Sequence, residues 1–185
     1  MRSRSASWLL LGIALVTFGC TGPAGPTGPA GPRGDTGSAN VIYSDWYSPS
    51  TWIAGTEFGI ANRTYTMTAT SLTQEIIDRG VVLVYMRFVG FNPAIVQLPY
   101  VVPDVNYSFS FRAAAGSIKV VYYNPAAPTT TPSIIPSYNQ VRYVLIPGGV
   151  LAASMEANGS TWEQEIASLK SMSYSEVCRT YRIPE

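Results

Sequence analysis

Four carboxylates are the residues of this chain best suited to acid–base chemistry. Glu163 and Glu165 lie two residues apart, while Glu57 and Asp104 lie near predicted turns. Glycosidases pair such groups, because one protonates the leaving group while the other activates water or attacks the sugar. No motif places one of these acids beside a second polar partner. The sequence therefore predicts no catalytic residue, and a carboxylate-dependent glycoside-acting enzyme ranks last among the alternatives.

Histidine is absent from the chain. This excludes Ser-His-Asp triads, Cys-His dyads and histidine-ligated zinc, all of which need an imidazole. No calcium-binding D-x-D-x-D-G loop and no cysteine pair at zinc-ligand spacing occurs in the sequence. Twelve basic and eleven acidic residues give a net charge of +1, which leaves no basic excess to grip nucleic acid. We therefore expect neither a metal, a cofactor nor a nucleic-acid partner.

Aromatic side chains are the best candidates for binding a ligand. The chain has twelve tyrosines and four tryptophans, and several of them adjoin turns or a proline-rich loop. Rings beside neutral Asn, Ser and Thr suit glycan or protein ligands. The competing interpretation, which the sequence favours, is that the rings fill the core of a sandwich of low charge. The candidate ligand-facing residues are Trp46, Tyr47, Trp52, Tyr122 and Tyr123.

The N-terminal residues have the pattern of an export signal. Arg2 and Arg4 precede an apolar run over residues 8–19, which is too short to span a bilayer and has the length of a secretory signal core. Thr17-Phe18-Gly19-Cys20 resembles the lipobox of bacterial lipoproteins. The resemblance implies cleavage before Cys20 and attachment of diacylglycerol to its sulfur. The alternative is a plain secretory peptide with an unmodified cysteine.

Cysteine count bears on the fate of Cys178. If Cys20 carries lipid, Cys178 is the only thiol left and no intrachain disulfide forms. A bridge between the two cysteines is the alternative. Because Cys178 lies at helical spacing from other apolar residues, it is predicted to be a small buried hydrophobe.

A collagen-like spacer follows the cysteine. Residues 22–39 contain six consecutive G-x-y triplets, and proline follows glycine in the first four. Only glycine fits the axis of a triple helix, and proline presets the polyproline II backbone. The alternatives are a triple helix in a homotrimer and a single-chain spacer of about 55 Å, at ~3.1 Å per residue. The collagen-like glycines are Gly22, Gly25, Gly28, Gly31, Gly34 and Gly37.

From residue 41 onward the sequence predicts β-structure. Residues 105–112 alternate, with Phe109 and Phe111 on a buried face and Ser108 and Ser110 on an exposed one. Residues 81–88 are apolar on both faces, which predicts a central strand. An edge strand is predicted at residues 97–102, because prolines limit its pairing. Further strands are predicted at residues 41–47, 63–70, 117–123 and 140–146.

Two short helices are predicted beside these strands. Ser71 is the expected N-cap of the first, with Gln74 completing a capping box and Gly80 ending the helix. Ser173 and Glu176 form a second capping box near the C-terminus. The predicted fold is an all-β, antiparallel β-sandwich head of the jelly-roll or immunoglobulin-like kind. One or two short helices accompany it, and the collagen-like spacer precedes it.

Three features in this order resemble the collagen-like lipoproteins of Bacteroidota-type bacteria. They are the G-x-y block running into residues 40–46, the segment at residues 72–85 and the segment at residues 172–177. The resemblance implies an exported, surface-tethered β domain and carries no catalytic assignment. It divides the chain into a signal peptide (residues 1–19), a lipidated cysteine with its spacer (20–39) and a head (40–185).

These observations predict an exported lipoprotein of the cell envelope, anchored in the outer membrane by its lipid. Its stalk would present a non-catalytic β head for structural or interaction roles. A glycan- or protein-binding module is the first alternative. Only 12% of the residues are charged and some strands are apolar on both faces, which favours self-association, with a homotrimer as one outcome.

Overall fold

The computed structural model describes residues 41–89, 95–103, 106–133 and 139–185. The predicted signal peptide, Cys20 and the collagen-like glycines lie outside the described residues, as does Asp104.

Two antiparallel sheets form the head, which confirms the predicted all-β sandwich. The strands are β1 (Ile42–Tyr43), β2 (Ile53–Glu57), β3 (Ile60–Ala69), β4 (Val81–Arg87), β5 (Ile95–Gln97), β6 (Tyr100–Val102), β7 (Tyr107–Ala114), β8 (Gly116–Tyr123) and β9 (Gln140–Ile146). One sheet has four strands in the order β1-β9-β4-β5, and the other has five in the order β2-β3-β8-β7-β6. The central strand β4 is apolar on both faces, as the sequence predicts for residues 81–88.

The main core lies between the two sheets. Phe109 is only 2% exposed and stacks on Tyr122, with ring centroids 5.0 Å apart. Met67 and Ile118 from the five-stranded sheet meet Val84 from the four-stranded sheet in the same cluster. The side chains that the period-two patterns predict to be buried therefore face the core, because alternate residues of a strand face opposite sides.

A helical layer packs on the outer face of the four-stranded sheet. Leu83 and Tyr85 of β4 contact a second apolar cluster that includes Leu151, Leu169 and Val177 from three helices. The helices of the described chain are α1 (Gln74–Arg79), α2 (Gly148–Asn158), α3 (Trp162–Ser171) and α4 (Tyr174–Tyr181). This sheet is thus covered on both faces, which explains why β4 is apolar on both of its faces.

Helices α2 and α3 are not predicted by the sequence analysis. Pro147-Gly148-Gly149 has the composition of a turn, but Pro147 is the N-cap of α2. Gly148 is required there because a Cβ atom would collide with the carbonyl group of Arg79. Close backbone approach, and not a reversal of the chain, explains this glycine.

The helix caps differ in how well they were predicted. Ser173 and Glu176 form the expected capping box of α4. For α1, however, the N-cap is Thr73 and not Ser71, and the Thr73 hydroxyl accepts from the backbone N–H of Ile76. Both residues can cap a helix, so the tertiary position of the first turn decides between them.

One predicted strand is two strands in the structure. Residues 97–102 divide at Leu98-Pro99 into β5, on the edge of the four-stranded sheet, and β6, on the edge of the five-stranded sheet. Proline confines both to edges, as expected, because it cannot donate to a ladder. The predicted strand at residues 41–47 shortens to β1 and one isolated bridge between Tyr47 and Val141.

The outer face of β7 is less exposed than predicted. Ser108 is 8% exposed, whereas the sequence places it on the solvent face. It pairs with Val101 on one side and Tyr123 on the other, and these larger side chains cover the small hydroxyl. Ser110 is half-buried, so the alternation of β7 is correct but its outer face is partly screened.

Candidate functional site

The five predicted ligand-facing aromatics do not form one platform. Trp52 and Tyr122 are 6% and 2% exposed, so they are core residues and the prediction that they face a ligand is wrong. Their rings meet edge-to-face, with centroids 5.9 Å apart. Trp46 lies under Arg87, whose guanidinium carbon is 4.1 Å from the ring centroid. Tyr47 stacks on Tyr143 between the sheets.

The candidate carboxylates are also separated. Glu57 ends β2 and forms an ion pair with Lys119, at 3.1 Å between Oε1 and Nζ. Glu163 is exposed on α3. Glu165 is buried on the same helix and accepts hydrogen bonds from the hydroxyl groups of Ser154 at 2.5 Å and Ser160 at 3.0 Å. Each buried carboxylate oxygen of Glu165 therefore has a structural partner.

Cys178 occupies the position predicted for a buried hydrophobe. It is a free cysteine, 2% exposed, on the inner side of α4. Burial raises the pKa of its thiol, which keeps the sulfur protonated and unreactive near neutral pH. Within the described residues no cluster of three or more metal-ligating side chains occurs, and none of the helices described is long and apolar enough to cross a membrane.

The most distinctive surface feature is the hairpin of β2 and β3, which bends over the outer face of the five-stranded sheet. Glu57 pairs with Ile60 at the hairpin end, whereas Lys119 pairs with Thr66, six residues further along β3. A straight strand would separate these positions by ~20 Å, beyond the reach of the two side chains. Their 3.1 Å contact shows that the hairpin end curls back toward β8.

A groove of about 270 Å³ lies beneath this overhang, and we call it the hairpin groove. Val121 shows the covering directly, because it is only 3% exposed although it points to the outer side of β8. Apolar, amide, hydroxyl and charged groups are all present in the lining. The lining residues are Glu57, Phe58, Ile60, Asn62, Ser110, Arg112, Val121 and Tyr123.

Phe58 at the hairpin tip is held in an unfavourable position. Its side chain is 94% exposed, and its φ of 52° lies in the left-handed region, followed by Gly59 with φ 79°. Two-residue hairpin turns of this kind favour Asn or Asp before Gly, because short polar side chains tolerate positive φ. A bulky aromatic residue there costs about 1–2 kcal/mol, and an exposed ring recovers none of it by burial.

Two of the polar side chains that line the hairpin groove are Arg112, which is exposed, and Asn62, which is buried in the groove wall. Asn62 is 2% exposed, and its Nδ2 donates to the carbonyl oxygen of Ile60 at 3.3 Å. Its Oδ1 has no hydrogen-bond partner within the described structure. Arg112 is exposed and donates from one guanidinium nitrogen to the Phe111 carbonyl oxygen at 3.1 Å and to the Ser110 hydroxyl at 3.5 Å.

The sequence analysis missed this site except for Tyr123 and, as a candidate carboxylate, Glu57. Gly59 was a partial signal, because the second residue of a two-residue hairpin turn is commonly glycine. The bend that brings the tip over the sheet has no comparable signature, since it depends on contacts such as the Glu57–Lys119 ion pair between residues distant in sequence.

Comparisons with known proteins give no further indication of function. No protein-family model matches the chain, and neither a curated protein nor a solved structure matches it. The role of the protein is therefore inferred from the residues of the head and of the N-terminal segment.

Proposed function

We propose that the chain is an exported, surface-tethered lipoprotein whose non-catalytic β head binds a ligand at the hairpin groove. The exposed ring of Phe58, held at positive φ above a polar groove, is the observation that carries this proposal. Strained residues cluster at ligand sites, where the surrounding structure maintains them for a function. The binding role thereby takes precedence over a purely structural one.

The N-terminal segment supports the tether. The apolar run ending at Cys20 would export the chain and give the cysteine its lipid, and the protein would then be an outer-membrane lipoprotein of the cell envelope. The G-x-y block from Gly22 would then hold the head up to about 55 Å from the membrane, at ~3.1 Å per residue. A homotrimer formed through this block would present three grooves on one stalk.

The non-catalytic character is supported by the partners of the carboxylates. Glu57 is neutralised by Lys119, and both oxygens of Glu165 accept from serine hydroxyl groups. Hydrolysis of a glycoside by two carboxyl groups needs them about 5–10 Å apart across one bond. Glu57 lies at the hairpin end and Glu165 on α3, so they belong to opposite outer faces of the head.

The tether is tested with Cys20→Ala. We expect the variant to leave the membrane fraction and to accumulate as an uncleaved precursor, because the lipid acceptor is lost. Subcellular fractionation with intact-mass analysis measures both effects, and Cys178→Ala is the matched control that should remain lipidated. A mature wild-type protein with a free thiol at Cys20 would contradict the tether.

The binding role is tested on a broad array of glycans and peptides with the purified protein. We expect the wild type to retain at least one class of probe and Phe58→Ala to lose it. Phe58 is 94% exposed, so the substitution leaves the core intact. Trp162→Ala, at another exposed ring on α3, is the control that should bind as the wild type does. An array without any bound probe, or with equal binding by both variants, would contradict the binding role.

A further inference from the structure

The charge of the hairpin groove is unbalanced. Lys119 is paired with Glu57, whereas Arg112 has no carboxylate partner among the described residues and bonds only to a backbone carbonyl and a serine hydroxyl. A guanidinium group presents a planar fork of donors that matches the two oxygens of a carboxylate. One unpaired cation in the lining therefore favours a ligand with a single carboxylate near the groove.

Phe58, at the rim of the hairpin groove, can stack against the C–H bonds of a ligand. Phe58 offers the face of an aromatic ring, which carries partial negative charge. The C–H bonds on one side of a pyranose ring are weakly positive, so they stack on such a face. A C–H face and a carboxylate occur together in one compact unit in a hexuronate sugar.

The size of the groove agrees with one such unit. About 270 Å³ is slightly below the range of ~300–1,000 Å³ that is typical of drug-sized ligands. An acidic peptide offers a carboxylate but lacks a face of C–H bonds held in one ring. Relying on the binding role proposed above, we infer that the hairpin groove binds a hexuronate-containing glycan. The sugar carboxylate lies on Arg112 and the C–H face of the sugar ring on Phe58.

Titration calorimetry on the purified protein tests this assignment. The probes are two hexuronate tetrasaccharides, of galacturonate and of mannuronate, and the neutral tetrasaccharide maltotetraose. We expect at least one hexuronate to bind tenfold or more tightly than maltotetraose. Arg112→Gln should weaken that binding at least tenfold, and Phe58→Ala should weaken it severalfold. Arg179→Gln, at an exposed position of α4, is the matched control and should bind as the wild type does.

Several outcomes would overturn the assignment while leaving the binding role intact. They are equal affinity for the neutral probe, tighter binding of a tetraglutamate peptide, no binding of either hexuronate, and full affinity in Arg112→Gln. The binding role itself fails only when the broad array retains nothing or Phe58→Ala binds the array as the wild type does. The two proposals therefore fail by different results.

Discussion

The two sheets of the head differ in what lies on their outer faces. Tyr85 and Val144, on the outer side of the four-stranded sheet, are fully buried beneath α2, α3 and α4. Thr66 and Thr68, on the outer side of the five-stranded sheet, are exposed, and the bent hairpin covers part of that face. The comparison indicates that one face serves stability and that the other is available for binding.

Two arginines show the same contrast. Arg142 on β9 is 4% exposed, and its guanidinium donates to the carbonyl oxygens of Ser44 at 2.7 Å and Pro184 at 2.6 Å and to the Tyr174 hydroxyl. These bonds fix both chain ends of the head to the four-stranded sheet. Arg112 on β7 is exposed and has no such anchoring role. A buried cation bonded to three acceptors is structural, whereas an exposed one with free donors can recognise a ligand.

The largest expected effect compares neighbouring residues on the two sides of β7. Phe109→Ala should lower the free energy of unfolding by about 3–5 kcal/mol, because it empties the space beside Phe88 and Tyr122 in the inter-sheet core. Ser110→Ala, on the groove side, should change it by less than about 0.5 kcal/mol. Denaturant titration measures both, and equal losses would show that the register of β7 is wrong.

A smaller effect separates two tyrosines of the helical layer. Tyr85 is fully buried, and its hydroxyl has no hydrogen-bond partner within the described structure. Tyr85→Phe should therefore leave the stability unchanged or raise it by up to about 1 kcal/mol, since an unsatisfied polar atom is removed. Tyr174→Phe should lower it by about 1.5–3 kcal/mol, because the bond from Arg142 is lost. A larger loss for Tyr85→Phe than for Tyr174→Phe in denaturant melts would contradict this account.

A separate, pH-dependent effect is the loss of stability under alkaline conditions, to which both layers contribute. Burial raises the pKa of Tyr122, between the sheets, and of Tyr174, in the helical layer, each to about 12. The unfolded chain releases these protons from about pH 10, while the folded head holds them until about pH 12. The folded state then binds more protons, so the free energy of unfolding should fall across this window and be unaffected by these groups below it.

Urea melts at pH 9, 10, 11 and 12 measure that slope. Tyr122→Phe removes one titrating group and should make the decline between pH 10 and pH 12 shallower. Its own loss of the hydrogen bond to the Ser133 carbonyl oxygen appears equally at every pH below that window, which separates the two effects. Stability that stays constant or rises from pH 10 to pH 12 would contradict the raised pKa values.

The fold was predictable where a local pattern carries it, and the site was not. The alternation of β3 and β7, the apolar run of β4 and the Ser173 capping box each determine an element from neighbouring residues. Helix α2 was missed because Gly148 is needed for contact with Arg79, which is distant in sequence. Composition also could not tell the buried rings of Trp52 and Tyr122 from an exposed one, whereas Gly59 was a partial signal for the hairpin tip.

We expect the ligand to contact the outer face of the five-stranded sheet and not the helical layer. Amide chemical-shift mapping measures this contact, with the galacturonate tetrasaccharide titrated into the isotope-labelled protein. The shifted amides should cluster at Glu57–Ile60, Asn62, Arg112 and Tyr123, around the hairpin groove. Shifts concentrated on α2, α3 and α4 would rule out the hairpin groove as the binding site.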